Sequence, residues 1–280
     1  MRLDAHVHFW RYNETDYAWI TENMNVIRRD FLPEDWMKTA EPLGFDGLIA
    51  VQARQTLLET GWLLELADKY PVIRGVVGWL DLRNPALGDH LEILCDHPRF
   101  VAARHVVQDE DDPRFMLQDE FLRGIGKLAK CDLAYDILIY APQLPAATEL
   151  VGHFPQQTFV LNHIGKPDIR SGEFEPWATE LHRIAAHDNV YCKLSGMVTE
   201  ADWESWTPKQ LQHYLDVVFD AFEPERLMIG ADWPACLVAA TYEQTVAVVM
   251  SYLHGMPEDV QSGILGANCA RAYGIEDGDR

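Results

Sequence analysis

A chain of 280 residues that is 48% hydrophobic can bury a large core, and its net charge of −21 repels phosphate backbones and anionic lipid. Nucleic-acid binding and membrane-surface roles are therefore not expected, and a polyanionic substrate would need a local cluster of arginines. Five scattered cysteines without a CxxC, no long apolar run, and charges and histidines within residues 1–10 argue against a disulfide framework, a membrane span and a cleaved leader, and for a cytoplasmic location.

Along the chain, apolar β-type runs alternate with amphipathic helical patterns. The first run, 2–8, carries His6 and His8 two residues apart, so both project on one face while Val7 packs on the other. Two co-facing imidazoles can share a metal ion or clamp an oxyanion; a structural edge-strand pair is the alternative. A long irregular insertion follows over 11–36, with Tyr12, Trp19 and Met24 expected to act as a lid over a ligand. Strands are then expected at 46–52, 72–79, 100–105, 135–140, 158–163, 189–194 and 227–232. Helical spacing marks 57–70, with Leu58, Trp62, Leu66 and Ala67 in register, and 117–130, with Phe121, Leu122, Ile125 and Leu128. Pro208 opens another helix, 208–222.

Eight strand–helix repeats with mostly continuous apolar strands predict an α/β fold, a single (β/α)8 TIM barrel over 1–280, with no linker dividing it. No strand is followed by GxGxxG, so an open dinucleotide-binding sheet has no support. In such a barrel the chemistry lies at the C-terminal strand ends, which here carry His6, His8, Gln52, Trp79, Arg104, His105, Tyr140, His163, Lys193 and Asp232. Nearly every strand ends in a group that can bind, polarise or transfer a proton.

The motifs DAHVHFWRY (4–12), AVQAR (50–54), ARHVVQDE (103–110), LNHIGKP (161–167), CKLSGMVTEADW (192–203) and IGADWPACL (229–237) span the chain. Together they resemble the amidohydrolase superfamily, in its sugar-lactonase branch. HFWRY, DYAWI (16–20), RDFLP (29–33) and VTEADW look most like the L-fucono-lactonases. The resemblance implies a carboxylic ester hydrolase of fucose catabolism, opening a neutral sugar-acid lactone such as L-fucono-, L-galactono- or D-arabinono-lactone. L-Rhamnono-lactonase, pyrone-dicarboxylate lactonase and a non-catalytic sugar-acid binding barrel are the alternatives, and a homo-oligomer is compatible with all of them.

The superfamily's two-metal members have a bridging lysine or glutamate and two further histidines on later strands. With Tyr140 and Lys193 ending the fifth and seventh strands, only His6, His8, His163 and Asp232 remain as ligands. One divalent ion, Zn²⁺ first, held by three of the four, or no metal at all, is the expectation. Asp232 is the candidate base, with a helix N-cap in ADWP as its other reading. His163 is the candidate electrophile or third ligand, and Arg104 a clamp for the carbonyl or a partner of a structural carboxylate. His105, on the opposite strand face from Arg104, should point away if Arg104 points in. His6, His8, Gln52, Trp79, Tyr140 and Lys193 are the candidate substrate-binding residues. Trp10, Trp19, Trp79 and Trp233 offer aromatic faces for a sugar ring or for the core. Lys166 is placed either in the site or in solvent, and Ser195, lacking a GxSxG elbow, is structural or a hydroxyl binder.

Overall fold

In a computed structural model, which describes residues 1–275, eight strands form one sheet in the order of the sequence: β1 (Leu3–Val7), β2 (Gly47–Val51), β3 (Ile73–Gly78), β4 (Phe100–Val106), β5 (Ala134–Leu138), β6 (Phe159–Leu161), β7 (Val190–Leu194) and β8 (Leu227–Ile229). Every adjacent pair is parallel. The ring closes past the strand ends. Asp232 N–H donates to the His6 carbonyl (2.9 Å), His8 N–H to that of Trp233 (2.7 Å), and Ala231 N–H to the Asp4 carboxylate (2.9 Å). This is the expected (β/α)8 barrel; residues 276–280 of the expected single domain lie outside the described residues.

Helices α1 (Pro33–Ala40), α2 (Leu57–Lys69), α3 (Leu87–Leu94), α4 (Asp119–Leu128), α5 (Leu144–His153), α6 (Trp177–Ala185), α7 (Met197–Glu200), α8 (Pro208–Ala221), α9 (Tyr242–Tyr252), α10 (Glu258–Ser262) and α11 (Asn268–Ala272) cover the sheet. α2 starts where Thr56 caps it, its hydroxyl accepting from Glu59 N–H at 3.2 Å. α4 starts later than its apolar spacing suggests, because Phe115–Leu117 forms a separate 3-10 turn and Asp119 and Glu120 supply the acidic first turn.

Strand alternation sorts the side chains. Leu48, Ala50, Val76, Tyr135, Phe159, Leu161, Leu227 and Ile229 pack outward into the core shared with the helices. Ile49, Val51, Val77, Ala102, Ala134, Val160 and Met228 fill the barrel interior, which Tyr273 plugs from below. In β1 the pairing with β2 slips between Asp4 and Val7. Such an irregularity changes which residues share a face, so Leu3 and Ala5 join the interior while Val7 joins the outer core.

Cys95 and Cys131, flanking α3 and α4, form a disulfide with Cα atoms 5.9 Å apart. This corrects the reading of the cysteines as an unpaired set and removes its argument for a reducing compartment. A sequence separation of 36 positions conceals the pairing. No helix among the described residues is long and apolar enough to cross a membrane.

Candidate active site

A cavity of about 770 Å³ opens at the C-terminal mouth of the barrel, lined in its floor by His8, Gln52, Arg104, His163 and Asp232. The first strand delivers its pair as alternation predicts. His8 Nδ1 lies 2.8 Å from the Val51 carbonyl, and since a carbonyl only accepts, Nδ1 carries the proton and Nε2 presents a lone pair. That lone pair is 3.3 Å from Asp232 Oδ1 and 3.2 Å from His6 Nε2, and His6 Nε2 is 3.7 Å from Asp232 Oδ1.

Asp232 lies three residues past the end of β8, at a φ of +56° that few residues other than Asn, Asp and Gly adopt readily. Its carboxylate faces the imidazoles. The short helical turn beyond it, Ala235–Val238, has Pro234 at its N-cap, so the capping reading of Asp232 does not hold. Burial alone would raise the Asp232 carboxyl. The imidazoles of His163 and His8 and the Lys166 ammonium outweigh it and hold the group below its ordinary range. Burial lowers His6, His8 and His163 below the usual imidazole value, reinforced at His6 by the charge of Lys193. Burial thus works against positive charge on all three imidazoles, while their approach favours the charged form of the Asp232 carboxyl.

His163 does not end a strand. β6 stops at Leu161, and alternation would turn residue 163 outward with it. Instead His163, Ile164 and Lys166 all take positive φ, and this left-handed turn swings the imidazole over the mouth. There its Nδ1 meets Ser195 Oγ at 2.9 Å and its Nε2 is 3.9 Å from Asp232 Oδ1. Ser195 is thus a partner of His163 and is buried. The same turn carries Lys166 into the cavity wall, 3.3 Å from Glu200 and over the face of Tyr140 at 5.2 Å.

Arg104 points inward and His105 outward, as alternation requires. Arg104 Nη1 lies 3.2 Å from His6 Nε2 and 3.1 Å from Asn162 Oδ1, and Nη2 donates to the Gln52 carbonyl. No carboxylate is among these partners. His105 stacks on Phe115 and meets Glu110 at 2.6 Å in the outer layer.

Three expected substrate-binding residues do not line the cavity, and His6, fully buried behind His8 and Asp232, is the first of them. Lys193 has no exposure at all: it sits one layer below the cavity floor, 2.6 Å from Asp136 and 3.3 Å from His6 Nδ1, because it shares the inward face with the filled interior. Trp79 leaves the sheet after Gly78, where Thr60 of α2 holds its backbone, and its indole reaches His105 at 3.4 Å, away from the cavity lining. Tyr140 and Gln52 do line the cavity. Of the insertion, Trp19 and Met24 reach the mouth and Tyr12 does not; Tyr12 accepts from Arg28 Nε at 2.6 Å. Trp10 and Trp233 are core residues packed on Phe31.

Sequence reasoning missed Trp203, Gln108, the Lys166–Glu200 pair and the Arg54–Asp16 pair (2.6 Å), all in the lining. VTEADW and ARHVVQDE contain three of these residues, yet nothing in their spacing shows which side chains face a cavity.

The fold and the imidazole–carboxylate site define a TIM-barrel hydrolase of the amidohydrolase type. The chain belongs to the amidohydrolase family, whose model Amidohydro_2 matches residues 3–275. It is 37% identical to an L-fucono-1,5-lactonase of Burkholderia multivorans over 98% of this chain and 96% of that one. A second L-fucono-1,5-lactonase, from Burkholderia ambifaria, is 33% identical over 86% of this chain and 83% of its own. A crystal structure of an amidohydrolase from Burkholderia multivorans with bound Zn matches with a TM-score of 0.94 and 37% identity, over 99% of this chain and 100% of that one.

His6, His8 and Asp232 fit a divalent ion. Ligand atoms about 2.0–2.1 Å from a tetrahedral centre stand roughly 3.3–3.4 Å apart. The three separations of 3.2, 3.3 and 3.7 Å fall around that value, and the Val51 carbonyl orients His8 as an outer partner should. His163, the fourth candidate, stands outside this set.

Proposed function

We propose that the protein hydrolyses a neutral sugar-acid lactone, with L-fucono-1,5-lactone and its stereochemical relatives as substrates. The observation that carries this reading is a buried carboxylate facing three imidazoles at the floor of a cavity in which, among the described residues, Arg104 is the one cation without a carboxylate partner. Arg54 meets Asp16 and Lys166 meets Glu200, which leaves no free cation cluster for a dicarboxylate. Both named L-fucono-1,5-lactonase relatives support the substrate class.

In this reading, Asp232 takes a proton from the attacking water as its oxygen bonds to the lactone carbonyl carbon. With the Ser195 hydroxyl donating to Nδ1, His163 presents Nε2–H to the developing oxyanion, and Arg104 adds positive charge from below. The ring C–O bond then breaks, and Asp232 returns its proton to the departing alkoxide oxygen. The product is an aldonic acid, which releases its proton to solvent as the aldonate, and that new negative charge is disfavoured inside a chain of net charge −21. His6, His8 and Asp232 are the residues that would hold Zn²⁺, which when bound would polarise the carbonyl or the water.

The test is kcat/KM across L-fucono-, L-galactono-, D-arabinono- and L-rhamnono-lactone and 2-pyrone-4,6-dicarboxylate, read with a pH indicator. The first three should be the best substrates. A dicarboxylate value above that of every sugar lactone would overturn the reading.

A further inference from the structure

We propose that the side-chain amides of Gln52 and Gln108 form a hydroxyl-reading wall, which fixes how a polyhydroxylated ring lies in the cavity. The inference rests on the lactonase reading and names which face of that substrate is recognised.

The wall begins with buried polar atoms that lack partners. Among the described residues, Gln52 Nε2 and Oε1, Arg104 Nε and Gln108 Oε1 are buried without a hydrogen bond, and all three residues line the cavity. Burying an amide unmatched is costly, so such groups point to a ligand that completes them. Gln143, a buried glutamine away from the cavity, behaves differently: its amide nitrogen donates to the Val107 carbonyl at 2.9 Å and its amide oxygen accepts from Tyr140 N–H at 2.9 Å. Gln143 ties structure together through both ends of its amide; Gln52 does so through neither.

The two amides belong to one side of the mouth. Arg104 of β4 donates to the backbone carbonyl of Gln52, and Gln55 accepts from Val106 N–H at 3.0 Å, so the loops after β2 and β4 are joined. Gln108 follows on the β4 loop. An amide offers one acceptor and two donors, which matches a hydroxyl that both gives and receives a hydrogen bond. A carboxylate has acceptors only, so it could meet the amide nitrogens but would leave the buried amide oxygens of Gln52 and Gln108 unmatched, whereas a hydroxyl can serve both ends. The wall thus favours ring hydroxyls and disfavours ring carboxylates, leaving the ester carbonyl to Asp232 and His163.

Two measurements keep the wall separate from the reaction. Calorimetry compares binding of an uncleavable polyhydroxylated δ-lactam with that of δ-valerolactam, the same ring without hydroxyls, to the wild-type protein, Gln52→Leu and Gln108→Leu. Hydrolysis of the matching lactones is followed in parallel. Wild type should prefer the hydroxylated ring, and each substitution should cut that preference about 10- to 100-fold. Equal wild-type affinity for both lactams, or a preference unchanged in Gln108→Leu, would overturn the wall. A preference lost on substitution in a protein that opens no lactone would support the wall and remove the lactonase reading instead. Should Gln52→Leu fail to fold, seen as loss of cooperative melting, Gln108→Leu at its half-buried loop position decides alone.

Discussion

A methyl group built on Gly196 would lie 2.6 Å from the Cγ and Nδ1 of the His163 ring, and Gly196 itself holds a φ of +68°. The glycine is required twice over, once for its backbone conformation and once for the space its missing side chain leaves the imidazole. Gly196→Ala should therefore displace His163 as well as strain the turn. A shift of about 1 Å at a reacting group costs on the order of 10² in rate, and kcat/KM should fall by that factor while the protein stays folded. Steady-state kinetics beside a melting curve checks it; near wild-type activity would mean that His163 has no positional role.

The metal reading is tested by counting. Three gathered ligand atoms and the absence of a second such group among the described residues lead to at most one Zn²⁺ per chain by elemental analysis. His8→Ala should abolish that binding. With an ionised Asp232 as base, dialysis against a chelator should leave most activity. Complete loss on chelation, restored by Zn²⁺, would transfer activation of the water to the ion.

Much of the fold was legible because it rests on local periodicity. Strand alternation put His6 and His8 on one face and Arg104 and His105 on opposite faces, leaving open which of the latter two points inward, and eight apolar runs placed the barrel. What alternation could not reach is backbone that leaves the strand. His163 and Asp232 were found as strand ends, yet both act from positive-φ turns beyond β6 and β8. Trp79 failed for the related reason that the chain turns out of the sheet after Gly78, and Lys193 because the interior below the mouth is solidly filled and pairs it with Asp136. Partners far apart in sequence, Lys166 with Glu200 and Cys95 with Cys131, are set by tertiary packing and leave no spacing signal.

Glu59 ties stability to pH. Its buried carboxylate accepts from the backbone N–H groups of Ala53 (2.9 Å) and Arg54 (2.6 Å), which shape the cavity wall beside Gln52. Burial nevertheless pushes its pKa from 4.5 up to about 7, those two hydrogen bonds offsetting only part of the penalty. A folded value above the unfolded one means that the folded state binds more protons, so this contribution is full below pH 4.5 and lost as pH rises through 7. The shift corresponds to about 3 kcal/mol. Unfolding free energy from urea titrations should decline across that window, and Glu59→Gln should flatten the decline. An identical slope in the variant would remove Glu59 from the linkage.

Asp232 carries the heaviest chemical load in the proposed reaction. It is the group that His8 faces at 3.3 Å and His163 at 3.9 Å, and among the described residues it is the one anionic group in the cavity floor. Asp232→Asn keeps the shape, and asparagine tolerates the left-handed backbone, so folding should be preserved. An amide cannot take the water proton. The expected loss is about 10²–10⁴ in kcat with a much smaller change in KM, the range for removing a general base. A variant retaining more than about a tenth of wild-type kcat would show that the proton is moved by another group, and His163 would be the next to replace.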